Sequence, residues 1–236
     1  MTDLYLPPCC PALNDHWPLP QPLTGVQLVS ACFDPTQLDS EDFSRCAIPP
    51  VPGVAKRQSE YLAGRLCARA ALRRLTGVAD VPAVGSDRAP QWPSGLVGSI
   101  THGRGWAAAV VARCSDWRGL GLDVEQPLPA SRAERLAAEI LTPNELLRLQ
   151  ALPVEQRAWR VSLTFSLKES LFKALYPLVL RRFYFQDAEL LSHAEDGSAR
   201  LRLLIDLTGD WAAGCELDGQ VAAVDGHLLS LVSIPA

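Results

Sequence analysis

The 236-residue chain has no apolar run long enough to cross a bilayer, which takes about 20 consecutive apolar residues. Residues 1–23 lack both a basic start and an apolar centre, so no secretory signal is expected there. A basic excess is missing too: 22 Lys and Arg stand against 26 Asp and Glu, and the net charge of −4 argues against a broad nucleic-acid surface. The seven cysteines are scattered and odd in number, without a C-x-x-C pair, and the four histidines lie far from the adjacent pair Cys9 and Cys10. That pattern excludes a disulfide framework and a zinc site, and it predicts reduced thiols in a cytoplasm. What remains, 48% hydrophobic and 20% charged, is a soluble globular profile with enough chain for one large domain or two small lobes.

Residues 1–24 are proline-rich and predict an extended arm packed through Trp17 and Leu19. A strand is expected over 27–33, then a loop over 34–52 with one helical turn after Asp39. The alanine-rich stretch 54–75 predicts a long helix carrying Lys56, Arg57, Arg65, Arg69, Arg73 and Arg74 against the single acid Glu60. Arg65, Arg69 and Arg73 recur every four residues as a ridge. Apolar residues take most of the circumference, so these guanidinium groups need anions, from carboxylates or from a ligand's phosphates. A rigid loop holding Arg88 and Trp92 precedes two strands, 97–101 and 106–112, and His102 is expected in the turn between them. Read alone, His102 is polar punctuation.

Further on, 119–125 predicts a strand, and 131–140 and 143–150 predict helices, the second capped by Thr142 with Pro143 and Glu145 following. A central helix is expected over 160–176, short strands over 183–185, 189–192 and 199–206, and a hairpin joining 220–224 to 227–234 across Asp225-Gly226. Both halves thus repeat one order, a strand, a long helix and a terminal antiparallel hairpin. Residues 1–118 carry eleven cations against ten acids, and residues 119–236 eleven against sixteen.

Two stretches carry the chemistry. In the central helix, Phe165, Leu167, Leu171, Phe172, Ala174 and Leu175 fall on one half, and Ser166, Glu169, Ser170 and Lys173 on the other. Lys168 breaks the pattern by projecting into the apolar half, so its ammonium must snorkel out or meet a fixed anion. In the strand Gly119-Leu120-Gly121-Leu122-Asp123-Val124-Glu125, Asp123 and Glu125 share a face and repel one another unless water or a cation screens them. Oxygen-only ligands of this kind suit Mg²⁺, although a solvated strand face is the plainer reading of that motif alone.

Together the two stretches resemble the Sfp-type 4′-phosphopantetheinyl transferases. That family pairs a G-[IL]-D-[VI]-E strand with a later F-[ST]-x-K-E-[SA]-x-[FY]-K-A helix, matched here from Phe165-Ser166 to Lys173-Ala174. The loop from Arg88 to Pro93 has the form of the siderophore-synthase-like members. The resemblance implies an α+β fold of two similar lobes related by a pseudo-two-fold. Each lobe would be a long helix packed on a small antiparallel sheet, with the active site in the cleft between them. Residues 1–118 would form the lobe facing the coenzyme A phosphates and adenine, and 119–236 the metal-binding and catalytic lobe.

Carried over residue by residue, the resemblance makes Asp123, Glu125 and Glu169 ligands of Mg²⁺, with Mn²⁺ as a substitute. It places Lys168 and Lys173 on the helix near the phosphates, and Arg57 and Arg69 against them, with Arg65 of the same ridge counted alongside. Arg88 belongs to the adenine-side loop. Thr101-His102 matches the family's [ST]-H pair, whose histidine contacts the ribose 3′-phosphate.

The implied reaction moves the 4′-phosphopantetheine arm of coenzyme A to a serine of an apo acyl or peptidyl carrier protein, releasing adenosine 3′,5′-bisphosphate. Glu169, Lys173 and Lys168 are the catalytic candidates, and whether Glu169 is base or ligand stays open. A monomer without nucleic-acid or membrane partners is expected. Two other classes compete: a coenzyme A or nucleotide-binding module without turnover, and a metal-dependent pyrophosphohydrolase of coenzyme A-like substrates. Three converging carboxylates argue against the first, and adenosine bisphosphate released without a carrier would favour the second.

Overall fold

The computed structural model describes residues 5–236, so the first four residues of the expected arm lie outside the described part. The chain divides into two compact units, one comprising residues up to Trp17 with Leu23–Asp116, the other Pro18–Pro22 with Trp117–Ala236. Among the described residues no helix is long and apolar enough to cross a membrane.

The first unit contains β1 (Gln27–Cys32), α1 (Asp42–Arg45), α2 (Ala55–Thr76), the two-residue strands β2 (Ala83–Val84) and β3 (Pro90–Gln91), β4 (Leu96–Gly103) and β5 (Trp106–Arg113). An antiparallel sheet runs in the order β1-β5-β4. Helix α2 lays Leu62, Ala63, Leu66 and Leu72 over Val29, Ala31, Ala107 and Val111, and Cys9, Cys10 and Cys46 close the same core. The approach is close enough that a Cβ on Gly64 would stand 2.8 Å from Ile100 Cγ2, which explains the small residues along this helix. Gly77 ends α2 in the left-handed region at φ 82° and returns its N–H to the Arg73 carbonyl.

The second unit contains β6 (Trp117–Glu125), α3 (Ala130–Ile140), α4 (Pro143–Gln150), α5 (Val154–Val179), β7 (Ala188–His193), β8 (Ser198–Leu203), β9 (Glu216–Val224) and β10 (His227–Pro235). Its five strands pair antiparallel in the order β6-β10-β9-β8-β7. Leu163, Leu167, Leu171 and Leu175 of α5 pack on Leu201, Val221, Leu228 and Val232 of the sheet. Helices α3 and α4 cover another side of α5 through Ala137, Ile140, Leu149 and Val161. Both units are a long helix on an antiparallel sheet, as expected.

Several boundaries differ from the sequence reading. Helix α5 begins at Val154, just after Pro153, whose fixed backbone and missing N–H suit a helix start. The stretch 183–185, expected as a strand, instead leads into a 3₁₀ turn at Phe185–Asp187, because the Asp187 carboxylate accepts the Tyr184 N–H and curls the chain. Strand β4 runs through Gly103, so His102 is a strand residue paired with Ala107, not a turn residue.

Candidate active site

The carboxylate-bearing strand β6 and helix α5 meet unusually closely. A Cβ on Gly121 would stand 1.8 Å from the Ser170 carbonyl oxygen, and one on Gly119 would stand 2.6 Å from that of Ala174. Only glycine lets the two backbones approach this far. The polar half of α5 is thereby pressed against the strand, and Ser166 and Ser170 are completely buried. Asp123 accepts from Ser166 Oγ at 2.9 Å through Oδ2 and from Lys173 Nζ at 2.7 Å through Oδ1. Lys173 also donates to the Leu122 carbonyl at 3.1 Å. Ser166 and Ser170 both bond the Ser230 hydroxyl, at 2.7 and 2.8 Å, and tie β10 into the same network.

Glu125 and Glu169 complete the acidic group. Burial, with the Asp123 charge next, pushes the Glu125 carboxyl up to about 7, while Lys173 partly offsets the shift and Glu169 adds to it. Glu169 is raised by burial and by Asp123, against Lys173. Three carboxylates therefore act on one another, with Lys173 among them and Arg132 a weaker offset at Glu125. Among the described residues no group of three His, Cys, Asp or Glu converges tightly enough to hold a metal ion. The donor set nevertheless fits Mg²⁺, which binds oxygen, takes one or two carboxylates and keeps several waters. The mutual repulsion is what such a cation would relieve.

Lys168 meets a fixed anion. Its buried ammonium donates to Glu145 Oε2 at 2.6 Å, to the Ile140 carbonyl at 2.9 Å and to the Phe185 carbonyl at 2.8 Å, which uses all three donors. Glu145 also accepts the backbone N–H of Thr142 at 2.7 Å and of Leu190 at 2.6 Å. Sequence reasoning saw Glu145 only as part of a helix cap. The misplaced charge of Lys168 was the signal that a partner had to exist. Lys168 itself lines a cavity of about 220 Å³, together with Glu169, Phe172, Arg182, Phe183 and Phe185.

In the first unit a larger cavity of about 990 Å³ gathers other expected residues: Arg57, Arg65, Arg88 and His102, with Glu60 and Tyr61. Arg57, Glu60, Tyr61 and Arg65 occupy one stripe of α2. The Arg65 guanidinium lies 4.8 Å from the Tyr61 ring centroid, and its Nε is buried without a hydrogen-bond partner. His102 Nδ1 is 3.9 Å from Glu60 Oε2. Arg88 adopts φ 72°, a left-handed backbone that only a tight loop imposes on arginine. Thr101 is buried beside His102 and does not line the cavity. Nor does Arg69, whose guanidinium donates to the Cys46 carbonyl at 2.5 Å and so braces the segment entering the cavity wall at Ala47. The arginine ridge thus splits between a cavity and a backbone carbonyl.

Two family models match the chain: one described as the 4′-phosphopantetheinyl transferase N-terminal domain over residues 52–112, the other as the 4′-phosphopantetheinyl transferase superfamily over residues 119–229. A 4′-phosphopantetheinyl transferase, Svp, of Streptomyces mobaraensis is 39% identical over 191 residues, covering 78% of this chain and 74% of its own. Enterobactin synthase component D of Salmonella typhi is 36% identical over 168 residues, covering 69% and 67%. Among solved structures, a holo-(acyl-carrier-protein) synthase from Bacillus anthracis in complex with CoA (3′,5′-ADP) covers 51% of this chain and 98% of its own. At 15% identity and a TM-score of 0.34 that likeness carries no weight here.

Proposed function

The chain belongs to the 4′-phosphopantetheinyl transferase superfamily, and from that premise we propose how its residues divide the transfer of the coenzyme A arm to a carrier-protein serine. The observation that carries the reading is the strand-and-helix network of Asp123, Ser166 and Lys173, with Glu125 and Glu169 held above the usual carboxylate range.

The reaction is an in-line displacement at phosphorus. The serine oxygen forms a bond to the phosphorus bearing the pantetheine arm, the bridging P–O bond breaks, and adenosine 3′,5′-bisphosphate leaves. Charge neutralisation and positioning supply most of the rate in such reactions. In the first unit, Arg57, Arg65, Arg88 and His102 put cations around a cavity that also has apolar walls, a setting that suits an adenine flanked by phosphates. In the second unit, Lys173 holds Asp123 in place and offers a positive charge to a phosphate oxygen. The cavity beside Glu169, with its phenylalanines, suits the pantetheine arm.

A carboxylate whose affinity for protons lies nearer neutrality is the better base. Glu169, raised by burial and lining the arm's cavity, is our candidate to accept the serine proton. Asp123 and Glu125 would hold Mg²⁺, with Mn²⁺ as a substitute and Glu169 as a third ligand only where it is not the base, and when bound the cation supplies neutralisation of the pyrophosphate charge. We read the enzyme as a monomer, since one chain carries both residue sets, and as cytoplasmic on its cysteine pattern alone.

The test is the mass of an apo carrier protein after incubation with this chain, coenzyme A and Mg²⁺. A gain of one phosphopantetheine is expected, lost in excess chelator and restored by added Mg²⁺. Undiminished transfer in chelator would remove the metal from the reading.

A further inference from the structure

The second unit holds a third cavity, of about 290 Å³, which shares no lining residue with the two described above. It lies among α4, α5 and β7, and that volume is at the small end of the ~300–1,000 Å³ typical of ligand sites. Leu141, Leu149 and Leu190 contribute apolar lining, Arg148 and Arg160 contribute guanidinium groups, and His193 adds an imidazole.

The charges around it do not cancel. Arg148 is paired with Glu189 at 2.8 Å and donates to the Leu190 carbonyl at 2.7 Å. Glu145, the acid in the wall, is taken by Lys168 and two backbone N–H groups. Asp196, the acid facing His193, is committed to Ser198. The half-buried Arg160 guanidinium has no hydrogen bond or ion pair with any side chain or carbonyl among the described residues, and its neighbour Arg148 repels it. A guanidinium drawn into a partly apolar setting whose one wall acid, Glu145, is taken by other donors lacks an anion.

We propose that this cavity binds a small amphipathic monoanion, an alkyl carboxylate, with its headgroup on Arg160 and its chain among the leucines. One unmatched guanidinium suits one negative charge, and its planar fork suits a carboxylate held by two parallel hydrogen bonds. This site is distinct from the coenzyme residues and goes beyond the transferase reading.

The experiment is calorimetric titration of the full chain with octanoate, in saturating coenzyme A so that the coenzyme cavities are occupied. Octanol and inorganic phosphate serve as the uncharged and headgroup-only probes. Octanoate is expected to bind wild type, at least about tenfold more weakly to Arg160→Gln, the loss of one charge-assisted pair, and not at all to Ser192→Phe, which fills the cavity from its rim. Transfer activity should persist in both variants, showing that they fold. Absence of octanoate binding to wild type would overturn the proposal, as would unchanged affinity in Arg160→Gln. Phosphate or octanol binding as tightly as octanoate would overturn it too, by showing that tail or headgroup is not read.

Discussion

At the residue scale the site turns on where two glutamates keep their protons. Glu169→Gln keeps shape and most hydrogen bonding while removing the charge. The half-buried side chain has no ion pair to lose among the described residues, so Tm should stay within about 3 °C of wild type. Turnover should fall by roughly 10²-fold or more, the scale of losing a general base. Raising Mg²⁺ separates the two roles: recovery marks a ligand, and a persistent defect marks the base. A fully active variant would leave Glu169 with neither.

Glu125 supports a pH prediction. Its carboxyl is raised from 4.5 to about 7 in the fold, so the folded chain binds a proton more tightly than the unfolded one. Its contribution to stability is therefore most favourable below 4.5 and is lost as pH rises through about 7. In chelator, Glu125→Gln should gain thermal stability over wild type between pH 5 and about pH 8. Added Mg²⁺ should reverse the order by stabilising wild type more. A pH-independent difference between the two would show that Glu125 ionises like an exposed glutamate.

At the element scale, the Glu145–Lys168 pair joins α4, α5 and the segment before β7 through buried hydrogen bonds. Removing one partner of such a pair costs about 3–5 kcal/mol, because the other charge stays buried. Glu145→Ala strands the ammonium with two carbonyls, whereas Lys168→Met leaves Glu145 with two N–H donors. Denaturant unfolding should thus find Glu145→Ala the less stable of the two. Lys168→Met, assayed where it is folded, should retain most of its kcat. A large kcat loss in well-folded protein would return Lys168 to the phosphates. The same elements show what the two halves of α5 leave undecided in the sequence: helical periodicity tells which residues share a face, not what covers that face. Gly119 and Gly121 open β6 to that face, and the consequence appears only when strand and helix are brought together.

For the whole molecule, the cations lining the larger cavity and the acidic group belong to units with separate cores. His102→Ala should lower the preference for coenzyme A over its dephosphorylated form by roughly 10-fold or more, the worth of one charge-assisted hydrogen bond, with kcat little changed. Combined with Glu169→Gln, the two effects should add in free energy, since one is read in coenzyme preference and the other in turnover. Strong non-additivity in a full double-variant cycle would show that one residue's role depends on the other. An unchanged preference in His102→Ala would leave that histidine as a strand-end residue alone.

Much of this was legible in the chain. The long helices, the hairpin across Asp225-Gly226, the Thr142 cap and the Asp123/Glu125 strand follow from local rules, because apolar spacing, turn residues and caps act over a few neighbours. The motif residues pointed to chemistry only as a pair of stretches, because two carboxylates on a strand are by themselves most simply a solvated face, and the later Lys168-Glu169 helix was needed to change that reading. What the sequence left open was which partner each charge would take. Arg65 and Arg69 are four apart on one ridge, yet one faces a cavity and the other a backbone carbonyl. Lys168 and Lys173 sit on one helix, yet one is sealed on Glu145 and the other holds Asp123 at the site. Those choices depend on which distant segments pack beside each side chain. That is a property of the tertiary structure, because burial and the nearest opposite charge are set by residues far away in sequence.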